Sequence, residues 1–193
     1  MLKEELLKSK TKIILVTISI IVIYYLIDIL QIFLLSELNV SSSKNFFASY
    51  IYLPNGLRVL FAFVFGILAF PGLLIAHLLS GYLNYNELNL LVVFSSLFST
   101  LSPFIGLFIV YKRLNLNFYE ITISKIAYVA IYTSLFNSFF SVLSRFVFDF
   151  YNAKNIFSVQ FLNFLIGDIL GVLFIFLFII ITNKIFNKII SNK

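Results

Sequence analysis

The chain has 193 residues, of which 61% are hydrophobic and 11% charged, and its mean hydropathy is +1.05. Charged residues make up about a quarter of a soluble domain, so this composition excludes a water-soluble core and predicts that lipid is the solvent. The formal net charge of +6 does not indicate nucleic-acid binding, because the basic residues flank apolar stretches, where they fit anionic lipid headgroups.

The first apolar stretch, Ile13–Leu35, follows a group of lysines, as in a signal peptide or a first membrane helix. A cleavable signal has an apolar region of roughly 7–15 residues and a small-x-small site. This stretch lacks such a site and has the length to cross a hydrocarbon core of ~30 Å. We therefore predict a retained transmembrane helix whose polar side carries Thr17, Tyr24, Asp28 and Gln31.

The next apolar stretch, Tyr50–Leu83, is too long for one crossing, since a single helix would extend about 50 Å at 1.5 Å per residue. It contains Phe70-Pro71-Gly72, and Pro-Gly is a strong helix breaker. We predict two helices, Tyr50–Phe70 and Pro71–Leu83, joined by a tight turn. The second would be only about 20 Å long, and therefore short, tilted or partly re-entrant.

Three further stretches complete six predicted spans: Leu90–Tyr111, Ile121–Ser144 and Phe157–Asn183. Polar breaks separate the stretches at 36–49, 84–89, 112–120 and 145–155. Lys and Arg are retained in the cytoplasm, and six spans place ten of them inside and three outside, whereas five spans remove this bias. We predict an all-α, polytopic transmembrane bundle of about six spans, one domain over residues 1–193, with both termini cytoplasmic.

Small residues at helical spacing predict the faces on which the helices meet, because lipid tails give no hydrophobic drive for helix association. Each stripe taken alone indicates only a packing seam. The stripes are Arg58, Ala62 and Gly66; Gly72, Ala76 and Ser80; Ser95, Ser99, Ser102 and Gly106; Ser134, Ser138 and Ser141; and Asn163, Gly167 and Gly171, which includes a GxxxG motif.

Three charged residues, Asp28, Arg58 and Asp168, lie inside apolar stretches at similar predicted depths, about 10–16 Å from the outer end at 1.5 Å per residue. An unpaired charge near the bilayer centre costs at least ~2.5–3.5 kcal/mol. We therefore predict a contact between Arg58 and Asp168, with Asp28 nearby. Two interpretations stay open: a static ion pair that fixes helix register, or a ligand pocket that opens outward.

Further polar residues lie at similar predicted depth and extend this candidate site: Tyr52, Asn55, Asn137 and Asn163. Exposed amides at the helix start Pro54–Gly56 would favour an anionic group. His77, the only histidine, is interpreted as a hydrogen-bonded interior residue, since one histidine cannot form a metal site.

No sequence signature of an enzyme is present: HExxH, GxxxxGK[ST] and GxSxG are missing, and so is cysteine. We therefore predict no catalytic residues, no cofactor and no metal.

Two stretches together resemble a known family. Tyr52–Leu60, with Pro54-Asn55-Gly56, followed by Gly66 and Pro71-Gly72, resembles the Pro-x-Gly opening of bacterial membrane-associated sensor (MASE-type) regions. Phe164–Gly171 resembles the Gly-Asp-x-x-Gly helix that closes the same regions. The resemblance implies roles for Pro54, Gly56, Arg58, Gly167, Asp168 and Gly171. It also implies sensing of a ligand or membrane state through a partner protein, since only a short basic tail follows Asn183.

The sequence thus predicts a sensory or ligand-binding membrane module. The alternatives are a transport component similar to the substrate-binding subunits of energy-coupling-factor importers, on size and span count alone, and a scaffold without ligand. The predicted partners are the lipid bilayer, a membrane or signalling protein and a small-molecule ligand, but no nucleic acid. The Phe, Ile, Leu, Asn and Lys bias favours a bacterial inner membrane.

Overall fold

A computed structural model of the chain describes residues 10–37, 51–114, 122–148 and 157–191. These residues form six α-helices and one 3-10 helix, and none of them is in a strand. The elements are α1 (Lys10–Glu37), α2 (Leu53–Phe65), the 3-10 helix Gly66–Ala69, α3 (Phe70–Tyr85), α4 (Leu90–Leu114), α5 (Ile123–Phe148) and α6 (Phe157–Ser191). Of the predicted polar breaks 36–49, 112–120 and 145–155, the parts 38–49, 115–120 and 149–155 lie outside the described residues, as do Lys3, Lys8, Lys44, Lys154 and Lys193. The parts that the structure describes, 36–37, 112–114 and 145–148, belong to helices.

Five helical stretches of the described chain are long and apolar enough to cross a membrane: Lys10–Phe33, Leu53–Leu83, Leu90–Arg113, Ile123–Phe148 and Phe161–Phe186. The predicted all-α membrane-helix class is therefore confirmed. The predicted helix limits differ at the end of α5, which continues to Phe148. Arg145, predicted in a polar break, therefore lies on a helix.

The break between α2 and α3 lies at Gly66, not at the predicted Pro71. The two helices are joined through the 3-10 helix without an intervening loop. Gly66 has φ 58° and ψ −140°, a conformation that a residue with a Cβ rarely adopts. Pro71 lies in the first turn of α3, where its missing amide costs no helical hydrogen bond. Glycine thus ends one helix, and proline begins the next.

Contacts along α1 show that the chain reverses direction at the 3-10 helix. α2 begins beside the C-terminal part of α1, where the Leu53 amide donates to Gln31 Oε1. α3 runs parallel to α1, since successive residues of the two helices meet in the same order: Gly72 with Ile20, His77 with Tyr24, and Ser80 with Asp28. α2 and α3 are therefore antiparallel to each other.

The remaining neighbours in the chain are also antiparallel. The contacts that establish this are Gly81 with Val92 and Phe70 with Phe104 between α3 and α4; Phe94 with Phe148 and Ser102 with Asn137 between α4 and α5; and Arg145 with Phe164 and Asn137 with Asp168 between α5 and α6. The C-termini of α1, α3 and α5 and the N-termini of α2, α4 and α6 therefore share one end of the bundle, here called the cavity end.

Two apolar clusters pack the bundle below the cavity end. One joins α2, α4, α5 and α6 through buried residues that include Val59, Phe63, Val110, Ala130 and Phe176. The other joins α1, α2 and α3 through residues that include Ile20, Phe61, Leu73 and Ala76. Both clusters contain residues that lie further from the cavity end than Asp28, Arg58 and Asp168. The clusters therefore separate these charged residues from the opposite end of the bundle.

Glycines bring α2 and α6 into backbone contact. A Cβ on Gly56 would overlap the Gly171 carbonyl oxygen, and a Cβ on Gly171 would overlap the Tyr52 carbonyl oxygen. The Tyr52 amide also donates to the Gly167 carbonyl at 2.9 Å. The predicted seam with Gly167 and Gly171 is therefore a close-packing surface, in accordance with the role of small residues between membrane helices.

Candidate functional site

A polar cavity of about 140 Å³ lies inside the cavity end and is lined from all six helices. The charged residues of the wall, within the described ranges, are Asp28, Asp168, Arg58 and Arg145. The other polar lining residues are Gln31, Tyr52, His77, Ser80, Ser95, Ser96, Ser99, Asn137 and Ser141. Buried charges are costly in hydrocarbon, so this arrangement is a functional-site candidate.

Arg58 is 1% exposed, and α2 carries it into the cavity wall one turn after the helix begins. Its Nη1 donates to the Ser99 carbonyl at 3.2 Å and to Asn137 Oδ1 at 3.0 Å. The guanidinium carbon lies 5.7 Å from the centre of the Tyr52 ring. Among the described residues, the Nε of Arg58 has no hydrogen-bond acceptor. The cavity wall thus offers a buried, cationic donor.

Asn137 connects Arg58 to Asp168, so the predicted direct contact between these two ions is wrong. The Asn137 Nδ2 donates to Asp168 Oδ2 at 2.6 Å, while its Oδ1 accepts from Arg58 and from Ser102. No carboxylate is among the contacts of Arg58 in the described part of the chain. An amide can join the two ions because it carries both an acceptor and a donor.

Asp28 lies in the part of the cavity wall that α1 and α3 form, away from this bridge. It is 6% exposed and accepts a hydrogen bond from the Ser80 hydroxyl. Within the described chain, no basic side chain contacts it. One turn earlier, the Tyr24 hydroxyl and His77 Nε2 are hydrogen-bonded at 3.2 Å. The interpretation of His77 as a hydrogen-bonded interior residue is therefore confirmed.

Two predicted site residues do not line the cavity. Asn55 is buried but directed toward α5 and α6, where its Nδ2 donates to the Asp168 carbonyl at 3.3 Å and to Ser134 Oγ at 3.4 Å. Asn163 is exposed on α6. It lies one turn before Gly167, where α2 begins its contact with α6, so no part of α2 covers it.

The start of α2 is not the predicted anion site. The Leu53 amide donates to Gln31 Oε1, and the Asn55 amide donates to the Tyr52 carbonyl. Pro54, Asn55 and Gly56 are buried against neighbouring helices. These backbone groups serve helix packing and not ligand binding.

Several cavity residues were not among the predicted site residues: Gln31, Ser80, Ser99 and Arg145. Gln31 joins α1 to α2, because its amide bonds the Ile51 carbonyl and the Leu53 amide, both at 2.9 Å. Arg145 lies with its guanidinium carbon 4.9 Å from the Phe164 ring centre. Gln31, Ser80 and Ser99 could have been found from the sequence, because they lie on the polar side of the first predicted helix or on the stripes of small residues that predicted helix contacts.

The helices and the cavity together fit a multi-pass α-helical membrane protein with a polar interior site. The chain matches no family model, no curated protein and no solved structure.

Proposed function

We propose that the chain is an integral membrane ligand-binding module of the sensory kind, which binds a small polar solute in the cavity and reports its occupancy to a partner protein. The observation that carries this proposal is the cavity of about 140 Å³ with charged side chains in its wall. An ionisable residue inside a membrane is costly, and it indicates a functional site by default.

The details of the wall favour binding over a purely structural ion pair. A pair that only fixes helix register needs no cavity, whereas the Arg58 side chain lines one. Asp28 also lies in the wall outside the Arg58–Asn137–Asp168 bridge. Both side chains can therefore contribute to binding a solute in the cavity.

Filling the cavity tests this proposal. Ser95 lines the cavity, and its hydroxyl bonds only the Val92 carbonyl of its own helix among the described residues, so Ser95→Leu fills space at small cost to the fold. We expect full-length protein in lipid nanodiscs to gain thermal stability with one or more polar solutes, because ligands stabilise the state that binds them. Ser95→Leu is expected to abolish that gain.

The matched control is Thr182→Leu, since Thr182 is exposed and its hydroxyl likewise bonds a carbonyl of its own helix, that of Phe178. This variant should retain the whole solute-dependent rise in melting temperature. A rise that survives in Ser95→Leu, or that no small polar solute produces, would contradict binding in the cavity.

We also propose that the six helices form six membrane segments, with both termini in the cytoplasm of a bacterial cell. The alternating helix directions and the predicted charge bias support this topology. A single crossing by Leu53–Leu83 would instead separate its two ends across the membrane.

Single introduced cysteines distinguish the two topologies, because the natural chain has none. Exposed positions near the ends of the segments are Ile51, Leu88, Thr11 and Phe186. In intact cells, an impermeant maleimide is expected to label cysteine at 51 and at 88, and to label cysteine at 11 and 186 only after lysis. Labelling of only one of positions 51 and 88 from outside would contradict six segments.

A transport component is the second candidate. The charged cavity lined from all six helices favours it, because ionisable residues inside a membrane also mark the pathways of transported solutes. Such a component would copurify with a membrane coupling protein and ATPases and would support solute accumulation in cells. A sensor would copurify with kinase or cyclase machinery and accumulate no solute.

A further inference from the structure

Among the described residues of the cavity wall the charges are balanced, with two arginines and two aspartates. A ligand of strong net charge would therefore leave an excess of one sign in a low-dielectric interior, where uncompensated charge is costly. A ligand that is neutral overall keeps the balance. Polar uncharged solutes and zwitterions both satisfy this condition.

The positions of the charges distinguish these two classes. Arg58 contributes a guanidinium to the wall from α2. Asp28 contributes from α1, with Ser80 as its only hydrogen-bonding partner in the described part of the chain. Arg58 and Asp28 line the same cavity without a hydrogen bond or ion pair between them, so a ligand in the cavity can present an anionic acceptor to one and a cationic donor to the other.

The size of the cavity limits the ligand. At about 30 Å³ per water molecule in the liquid, a volume of 140 Å³ corresponds to roughly five waters. A monatomic ion would leave most of this space unfilled. A molecule with an ammonium and a carboxylate separated by one or a few carbons fits it.

We infer that the cavity binds a small zwitterion of the amino-acid type, with its carboxylate on Arg58 and its ammonium on Asp28. This inference rests on the proposed function and names the ligand class of the same site. Charge-assisted hydrogen bonds are about twice as strong as neutral ones, so both ends of the ligand contribute to selectivity. The Arg58–Asn137–Asp168 bridge holds the guanidinium in place, and Tyr52 lies against the guanidinium.

Four probe classes test the inference on full-length protein in nanodiscs by calorimetric binding and thermal unfolding. The zwitterions are glycine, alanine and β-alanine; methylamine carries only the cation, acetate only the anion, and acetamide neither charge. We expect at least one zwitterion to bind about tenfold more tightly than each of the other three probes, equivalent to ~1.4 kcal/mol.

The substitution Asp28→Asn tests whether Asp28 binds the ammonium group of the ligand. Asp28→Asn keeps the shape of the side chain and an oxygen that accepts from Ser80, so the fold should persist. It is expected to weaken zwitterion binding about tenfold and not to weaken acetate binding, because the loss of one carboxylate leaves an excess of positive charge in the wall. The contribution of the ligand's carboxylate is tested by comparing a zwitterion with methylamine, which lacks the carboxylate. Arg58, which holds Ser99 and Asn137 through hydrogen bonds, therefore does not have to be substituted.

The outcomes separate the two proposals. Binding of acetate, methylamine or acetamide as tight as that of every zwitterion, or zwitterion binding unaffected by Asp28→Asn, would overturn the inference while the solute-binding function stands. Absence of binding by all four classes would overturn both.

Discussion

Substituting alanine for Gly171 is expected to destabilise the bundle by about 3 kcal/mol, the upper end of the usual cost of overpacking. The added Cβ would overlap the Tyr52 carbonyl oxygen, which belongs to the backbone and cannot change rotamer. Relief requires α2 to move away from α6, and this movement would stretch the hydrogen bond from the Tyr52 amide to the Gly167 carbonyl. Denaturant unfolding of purified protein in mixed micelles measures the loss.

Gly81→Ala is the matched control. A Cβ at Gly81 would lie 2.6 Å from Val92 Cγ1, a side-chain atom that can move by a change of rotamer. We expect this variant to lose much less stability than Gly171→Ala. Equal losses for the two variants would show that the backbone contact between α2 and α6 is not a special constraint.

Asn137→Leu is expected to destabilise the protein by roughly 3–5 kcal/mol, the usual effect of breaking a buried charge pair. Leucine has the same branched arrangement of heavy atoms as asparagine but cannot donate to Asp168 or accept from Arg58, which are both 1% exposed. Each ion would lose its link to the other inside the bundle. The free energy of unfolding in micelles, compared with that of the natural chain, measures the effect.

The effect should depend on the two charges that Asn137 joins. In a background with Arg58→Gln and Asp168→Asn, neutral amides replace both ions, and adding Asn137→Leu should cost less by up to about 3 kcal/mol. The single and combined variants form a thermodynamic cycle. If Asn137→Leu lowers the free energy of unfolding equally in the natural chain and in the double-variant background, Asn137 contributes by packing alone.

The sequence was sufficient for the parts of the fold that depend on composition along the chain. The long apolar stretches predicted the membrane helices, and the cost of charge in hydrocarbon correctly predicted that Arg58, Asp28 and Asp168 lie inside the bundle. Small residues at Gly167 and Gly171 predicted a close helix contact. These features need no knowledge of three-dimensional neighbours.

Details that depend on neighbours could not be predicted. The opposite charges of Arg58 and Asp168 indicated attraction, but nothing along the chain indicated that the Asn137 amide lies between them. The helix break was predicted at Pro71 because proline is the stronger local signal, whereas it lies at Gly66, which adopts positive φ. Asn163 shares a helix face with Gly167, but α2 first meets α6 at Gly167, one turn further along α6, so Asn163 stays exposed.

The direct contact of α2 with α6 makes the pair mechanically stiff. Gly56 and Gly171 leave no flexible side chains between the two backbones, so an axial displacement of one helix pulls the other with it. Arg58 rides on α2, and α6 continues about 30 Å beyond Gly171 to Ser191, at 1.5 Å per residue. If the proposed sensory function holds, a small displacement of Arg58 on solute binding would be passed through α2 to α6 and along α6 to the opposite end of the bundle, where the proposed partner would bind.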